Sequence, residues 1–344
     1  MIKMKRMNHI FRSLAVLPVL AAALAVSCNK VSTEETNASV KRQFDAWRSI
    51  YYPDAVEKDG IYIIDETPGT GLEWRDNLPV TFITYTVRSL NGTVTDNTDE
   101  TWAKQLGTWD QTYYYGPQVL LTGEGTSYAG IDALMDGMKQ GGSRTAIIPS
   151  WMFTRERYAT ADEYLKHEID ASATSGIYTI TFMGQTENLA QYEFNNLQRY
   201  SVENWGVADT LSTAAVFFKS FTTFDKEPAE MPNDTTVYIN YIGRRISDGQ
   251  VFDTNIADTA KVYNIYDPTR KYAPTSIKWS EKADDMATNN KLIDGYIHGL
   301  RAMHAGEKAS FAFGYNLGYK SSGKGNRIPP YAALRFDVEL VPEP

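Results

Sequence analysis

Cysteine is nearly missing from this chain: one residue, Cys28, in 344. A lone cysteine excludes an internal disulfide and any zinc site built on thiolates. Histidine is almost as scarce, with four residues. His298 and His304 are six apart, which does not place them on one helical face, and no His-Glu-x-x-His occurs. Basic charge is also short: 34 Lys and Arg against 42 Asp and Glu leave a net charge of −8. That balance argues against nucleic acid, whose phosphates need a basic surface. A Gly-x-Ser-x-Gly elbow is absent, and no carboxylate pairing points to a glycosidase. Residues 318–325, GYKSSGKG, nearly fit a phosphate-binding loop, but Gly325 stands where a hydroxyl must hold magnesium. Nothing here asks for a cofactor or a metal.

Long apolar runs are lacking too. The longest near the start, Leu14 to Val26, is shorter than the roughly 20 residues of a spanning helix. Lys3, Lys5, Arg6 and Arg12 precede it, and Ala25-Val26-Ser27-Cys28 closes it. This order is that of a secretory signal. It resembles a bacterial lipobox with its leucine displaced by one, to Leu24. The resemblance implies lipidation of Cys28 after removal of residues 1–27, and anchoring to the cell envelope, most simply the outer membrane, without a transmembrane helix. Residues 28–39, rich in Ser, Thr, Glu and Asn, read as a polar tether.

What the chain has in plenty is tyrosine, 22 residues, within an aromatic content of 12%. Tyrosine suits strands and recognition surfaces. Val40, Phe44, Trp47 and Tyr51 fall on one helical face, predicting a helix over 40–52. Strands are expected over 61–64 and 80–87. The same order recurs as a helix from 189, a strand over 214–218 and a β-prone run over 236–242, so one plan is used twice. The division is 40–185, a connecting helix and strand over 186–230, and 231–344. The first copy carries a polar insertion over 154–175.

Within 231–344 stand TVYINYIGRRISDGQVFDTN, LIDGYIHGLRAMHAGEKASFAF and LGYKSSGKGNRIPPYAALRFDVELV. In kind, order and spacing these motifs resemble the FKBP-type peptidyl-prolyl cis-trans isomerases. The resemblance implies an α+β fold with two FKBP-like domains, each a curved antiparallel β-sheet wrapped on a short helix, with an extra N-terminal helix and strand. It also implies the roles of the motif residues. Tyr241, Phe252, Asp253, Ile293, Tyr296, Tyr319 and Phe336 would form the catalytic pocket, with Leu292 and Ile328 as substrate contacts. Tyr296 stands where the family usually has tryptophan. Arg327 replaces an apolar rim residue, where it would favour acidic substrates or project into solvent. A long stretch separates Asp253 from Ile293, and an aromatic from it, Tyr263, is expected on the flap-side wall. The first copy keeps the skeleton but has Thr95-Asp96 for Phe252-Asp253 and no Ile-Pro-Pro, so it is expected to be non-catalytic.

The expected activity is isomerisation of X–Pro bonds in exported, proline-containing polypeptides. Two rival readings stand beside it. One is a non-catalytic chaperone that holds extended segments, and the other is a glycan-handling surface scaffold. Core packing alone would explain Tyr241, Phe252 or Phe336 taken singly.

Overall fold

Ser32 opens the first helix of the computed structural model, which describes residues 32–211 and 214–344. Cys28 and the expected signal lie outside the described residues. The Ser32 hydroxyl accepts from the Glu35 amide while the Glu35 carboxylate accepts from the Ser32 amide, satisfying two otherwise orphaned N–H groups. Helix α1 therefore runs Thr33–Tyr51, and most of the expected tether is helical. Asn37 shows why polarity misleads there. Its buried side chain donates to the Leu165 and His167 carbonyls at 2.9 and 2.7 Å, docking the helix on the polar insertion. Phe44, two turns further along the same face, lies 5.2 Å from Trp151 and 5.5 Å from Tyr62.

After α1 come β1 (Val56–Lys58), β2 (Ile61–Thr67), β3 (Val80–Ser89), β4 (Val94–Asn97), α2 (Glu100–Gln105), β5 (Gln118–Leu121), α3 (Ala129–Met135), β6 (Ser143–Ile148) and β7 (Gly176–Thr186). The strands form one antiparallel sheet, ordered β1-β2-β6-β7-β3-β4, with β5 also on β3. The second unit follows with α4 (Leu189–Trp205), β8 (Val216–Ser220), β9 (Thr236–Arg245), β10 (Val251–Thr254), α5 (Ala257–Val262), β11 (Thr275–Lys278), α6 (Ala283–Asn290), α7 (Asp294–Arg301), β12 (Lys308–Phe313) and β13 (Leu334–Val341). Its order, β10-β9-β13-β12-β8 with β11 on β9, repeats that of β4-β3-β7-β6-β2 with β5. The fold is α+β, two antiparallel sheets each covered by a short helix. One expectation changes: β8 is not a connector, since it pairs with β12 along Val216–Ser220 and completes the second sheet.

The covering helix of the second unit lies close to its sheet because of two glycines four apart. A Cβ at Gly295 would sit 2.3 Å from the Phe313 ring, and one at Gly299 would sit 2.3 Å from Phe311. Both rings are fully buried in the main cluster, with Ile297, Leu300, Leu334 and Phe336. The first unit keeps Gly130 against Ile148 but exchanges sizes elsewhere, with Leu134 and Ala146 both fully buried.

Candidate functional site

Strand register builds the site from β9 outward. Gly243 pairs with Phe336 on one side and with Asp253 on the other. A register shift between Val251 and Asp253 leaves Phe252 in a bulge. Such a bulge re-aims a side chain, so neighbours that would point to opposite faces both reach one cavity. Gly243 makes room for this: a Cβ there would meet Phe336 and Phe252 at 2.7 and 2.8 Å. The two rings consequently pack edge to face, with centroids 5.6 Å apart. Phe336 also lies 4.6 Å from Tyr296 on α7, and Tyr296 lies 6.5 Å from Tyr241.

These rings bound a cavity of about 430 Å³, lined also by Asp253, Leu292, Ile293, Tyr319 and Lys324. The structure thus brings together Tyr241, Phe252, Asp253, Leu292, Ile293, Tyr296, Tyr319 and Phe336. It does not bring Tyr263 there. That residue ends α5 and packs on the separate cluster of Val251, Ala260 and Ile265, because α5 folds back beside β10. Ile328 is also absent from the cavity wall. It is buried in the main core beneath the rim and bounds a neighbouring groove instead. Arg327 neither enters the cavity nor hangs free, since it donates to the Phe252 carbonyl at 3.3 Å.

The residue that sequence reasoning missed is Arg270. Its guanidinium pairs with Asp253, which also accepts from the Tyr241 hydroxyl at 2.8 Å, and its second nitrogen donates to that hydroxyl at 2.9 Å. A short turn aims it: Asp267 accepts from the Thr269 amide and hydroxyl, and the Arg270 amide donates to the Asp267 carbonyl. The available signal was chemical. A carboxylate beside a buried ring needs a cation, and the long 254–290 stretch was the place to seek it.

Burial, and then the Asp253 charge, raise the Tyr241 hydroxyl well above the ordinary tyrosine value, so it stays a neutral donor. Burial opposes the charge on Arg270, but the hydrogen bond and charge of Asp253 outweigh it and hold the guanidinium protonated. Tyr296 is raised by burial and by the nearby Tyr241 and Asp253. Its hydroxyl has no hydrogen-bond partner among the described residues and opens into the cavity. The Ile293 amide at the start of α7 also has no internal acceptor among them. Tyr319 is approached by Lys324, 3.4 Å from its hydroxyl. The result is an aromatic hollow with a few inward donors, suited to gripping a small ring and a carbonyl. No group of metal-ligating side chains occurs among the described residues.

The first unit has the same strand register with different residues. Val87 pairs with Asp96 and Tyr178 as Gly243 pairs with Asp253 and Phe336. The Tyr85 hydroxyl donates to Asp96 at 3.0 Å, repeating the Tyr241–Asp253 contact. Thr95 replaces the Phe252 ring, and Tyr178 packs 5.6 Å from Phe153.

Residues 227–341 match the family model of the FKBP-type peptidyl-prolyl cis-trans isomerases. FK506-binding protein 2 of Candida glabrata is 32% identical over 111 residues, 32% of this chain and 65% of that protein. The macrophage infectivity potentiator of Trypanosoma cruzi is 30% identical over 108 residues, 31% of this chain and 43% of that protein. The probable FKBP-type peptidyl-prolyl cis-trans isomerase FkpA of Neisseria meningitidis is 29% identical over 133 residues, 39% of this chain and 40% of that protein. The chain thus spans between 40% and 65% of the length of these relatives. The matched residues and the ring-walled cavity coincide in the C-terminal unit, and over that third of the chain the protein is similar to the FKBP-type peptidyl-prolyl cis-trans isomerases.

Proposed function

We propose that the C-terminal unit isomerises X–Pro bonds of exported proteins, with the proline ring seated among Phe252, Tyr296 and Phe336. The observation that carries this reading is the convergence of these rings and of Tyr241, Asp253, Ile293 and Tyr319 on one cavity. Rotation about the imide must overcome the loss of amide resonance, a barrier of about 18–20 kcal/mol. A planar amide is more polar than a twisted one, so water favours the planar form and a dry aromatic site favours the twisted one. The Ile293 amide and the Tyr319 hydroxyl are placed to hold a substrate carbonyl while the bond turns. Arg270 and Tyr241 each donate to one oxygen of Asp253, so the carboxylate adds a fixed polar wall. No bond to the protein forms.

The first unit is read as non-catalytic, because Val87 and Thr95 remove the space and the ring on which the Phe252–Phe336 pair depends. Lipidation at Cys28, with attachment to the envelope, completes the reading. Incorporation of labelled fatty acid into the chain, lost in Cys28→Ala, tests that part. The test of activity is cis–trans exchange of an X–Pro tetrapeptide by the full chain, compared with Asp253→Val and Tyr319→Phe. Acceleration that falls about tenfold or more in both variants, with folding retained, supports the reading. A wild-type chain that gives no acceleration but binds the peptide leaves a holding function instead.

A further inference from the structure

Beside the ring-walled cavity lies a second groove of about 750 Å³, and the two share Phe252, Asp253, Tyr319 and Lys324 on their common border. Its far wall comes from the other unit. Asp110 and Thr112, in the loop between α2 and β5, face Asn326, Arg327 and Ile328 of the rim. The loop is fastened rather than merely adjacent. Arg245, fully buried at the end of β9, donates to the Thr112 carbonyl at 2.9 Å and to the Arg327 carbonyl, so one guanidinium grips both walls. Asp248 satisfies its remaining nitrogens, and the Tyr114 ring lies 5.6 Å from it. The Asp110 side chain is exposed, and one of its oxygens accepts from both the Thr112 amide and hydroxyl, leaving the other directed to no protein donor among the described residues.

Resting on the isomerase reading, we infer that the first unit supplies one side of the substrate channel: the polypeptide that inserts its proline beneath Tyr319 continues along this groove, between Asp110 on the first unit and Lys324 and Arg327 on the second. The occupant is one chain across both spaces, because the two adjoin along four shared residues, and those residues are the ones that wall the pocket. A tetrapeptide fills the pocket alone. A protein client, with several residues on either side of its proline, spans the groove as well and meets a carboxylate on one wall and cations on the other. An unlike charge on the flanking segment is therefore favoured at Asp110, and the non-catalytic unit acts on choice of client.

The test uses the full chain with a tetrapeptide and two sets of peptides about twelve residues long, carrying a Lys or a Glu at successive positions flanking the proline. Wild type is expected to prefer Lys over Glu by about threefold in kcat/KM at one or more flanking positions. Asp110→Lys reverses that preference, Asp110→Asn abolishes it while keeping the acceptor that shapes the loop, and all three turn over the tetrapeptide within about twofold. The inference is overturned if the preference is the same in all three chains, or if the variants lose tetrapeptide and long-peptide turnover equally. Failure of wild type on the tetrapeptide is a different result, since it removes the isomerase reading itself.

Discussion

At the scale of single residues, the site rests on which hydroxyls have partners. Tyr241 donates to Asp253 and accepts from Arg270, so Tyr241→Phe takes one hydrogen bond from each member of that ion pair. A loss of about 1–2 kcal/mol in unfolding free energy is expected from urea titration. Tyr296→Phe removes a hydroxyl without a protein partner and should leave stability unchanged or slightly higher. Equal losses in the two variants would mean that the Tyr296 hydroxyl is bonded in solution. Arg270→Met tests the residue that the motifs did not announce. Unpairing Asp253 should cut kcat/KM on a tetrapeptide about tenfold, a change of ~1.4 kcal/mol, with the cavity still formed. The motif residues were legible because ring type, order and spacing survive in a linear string. Arg270 was not, because its distance from Asp253 is set by α5 and a turn.

At the scale of elements, α7 and β12 are matched by size. Alanine is the better helix former by about 1 kcal/mol, yet Gly299→Ala is expected to destabilise the second unit by about 2 kcal/mol, since the added methyl meets Phe311. Phe311→Ala alone opens a hole and should cost about 3–5 kcal/mol. The double change should cost clearly less than the two added together, which thermal unfolding of the single and double variants will read. Simple additivity would mean that helix and sheet do not touch as described. Alternation and period located these two elements, but not their closeness. The helix over 40–52 illustrates the converse: its apolar face was visible while its start at Thr33 was not, because Asn37 looks like a tether until two carbonyls of a distant insertion receive its amide.

At the scale of the molecule, the two units meet along α4 and the rim. Glu193 of α4 sits in that contact region, its carboxylate accepting from the Tyr315 amide at 3.0 Å, and burial pushes it up from its ordinary value near 4.5 to about 7. The folded chain thus holds a proton that the unfolded chain has released between those values. This group favours the folded state fully below pH 4.5, and its contribution is lost as pH rises through about 7. Glu193→Gln keeps the acceptor and removes the charge, so it should raise stability by about 2 kcal/mol at pH 8 and little at pH 5. A pH-independent effect in chemical unfolding would contradict that assignment. The Phe82–Tyr192 contact, with centroids 4.7 Å apart, joins the first sheet to the same helix.

From residue order alone came the repeated plan, the polar and apolar faces and the set of rings in the second unit, since all of these depend on patterns along the chain; the α+β class came through the resemblance that the motifs carry. Tertiary structure decided which residues meet. It moved Tyr263 out of the cavity and Ile328 beneath the rim, brought Arg270 to Asp253, and set Asp110 of one unit across from Arg327 of the other. The physical reason is that a hydrogen bond or an ion pair acts across a few ångströms of space, whatever length of chain lies between its partners.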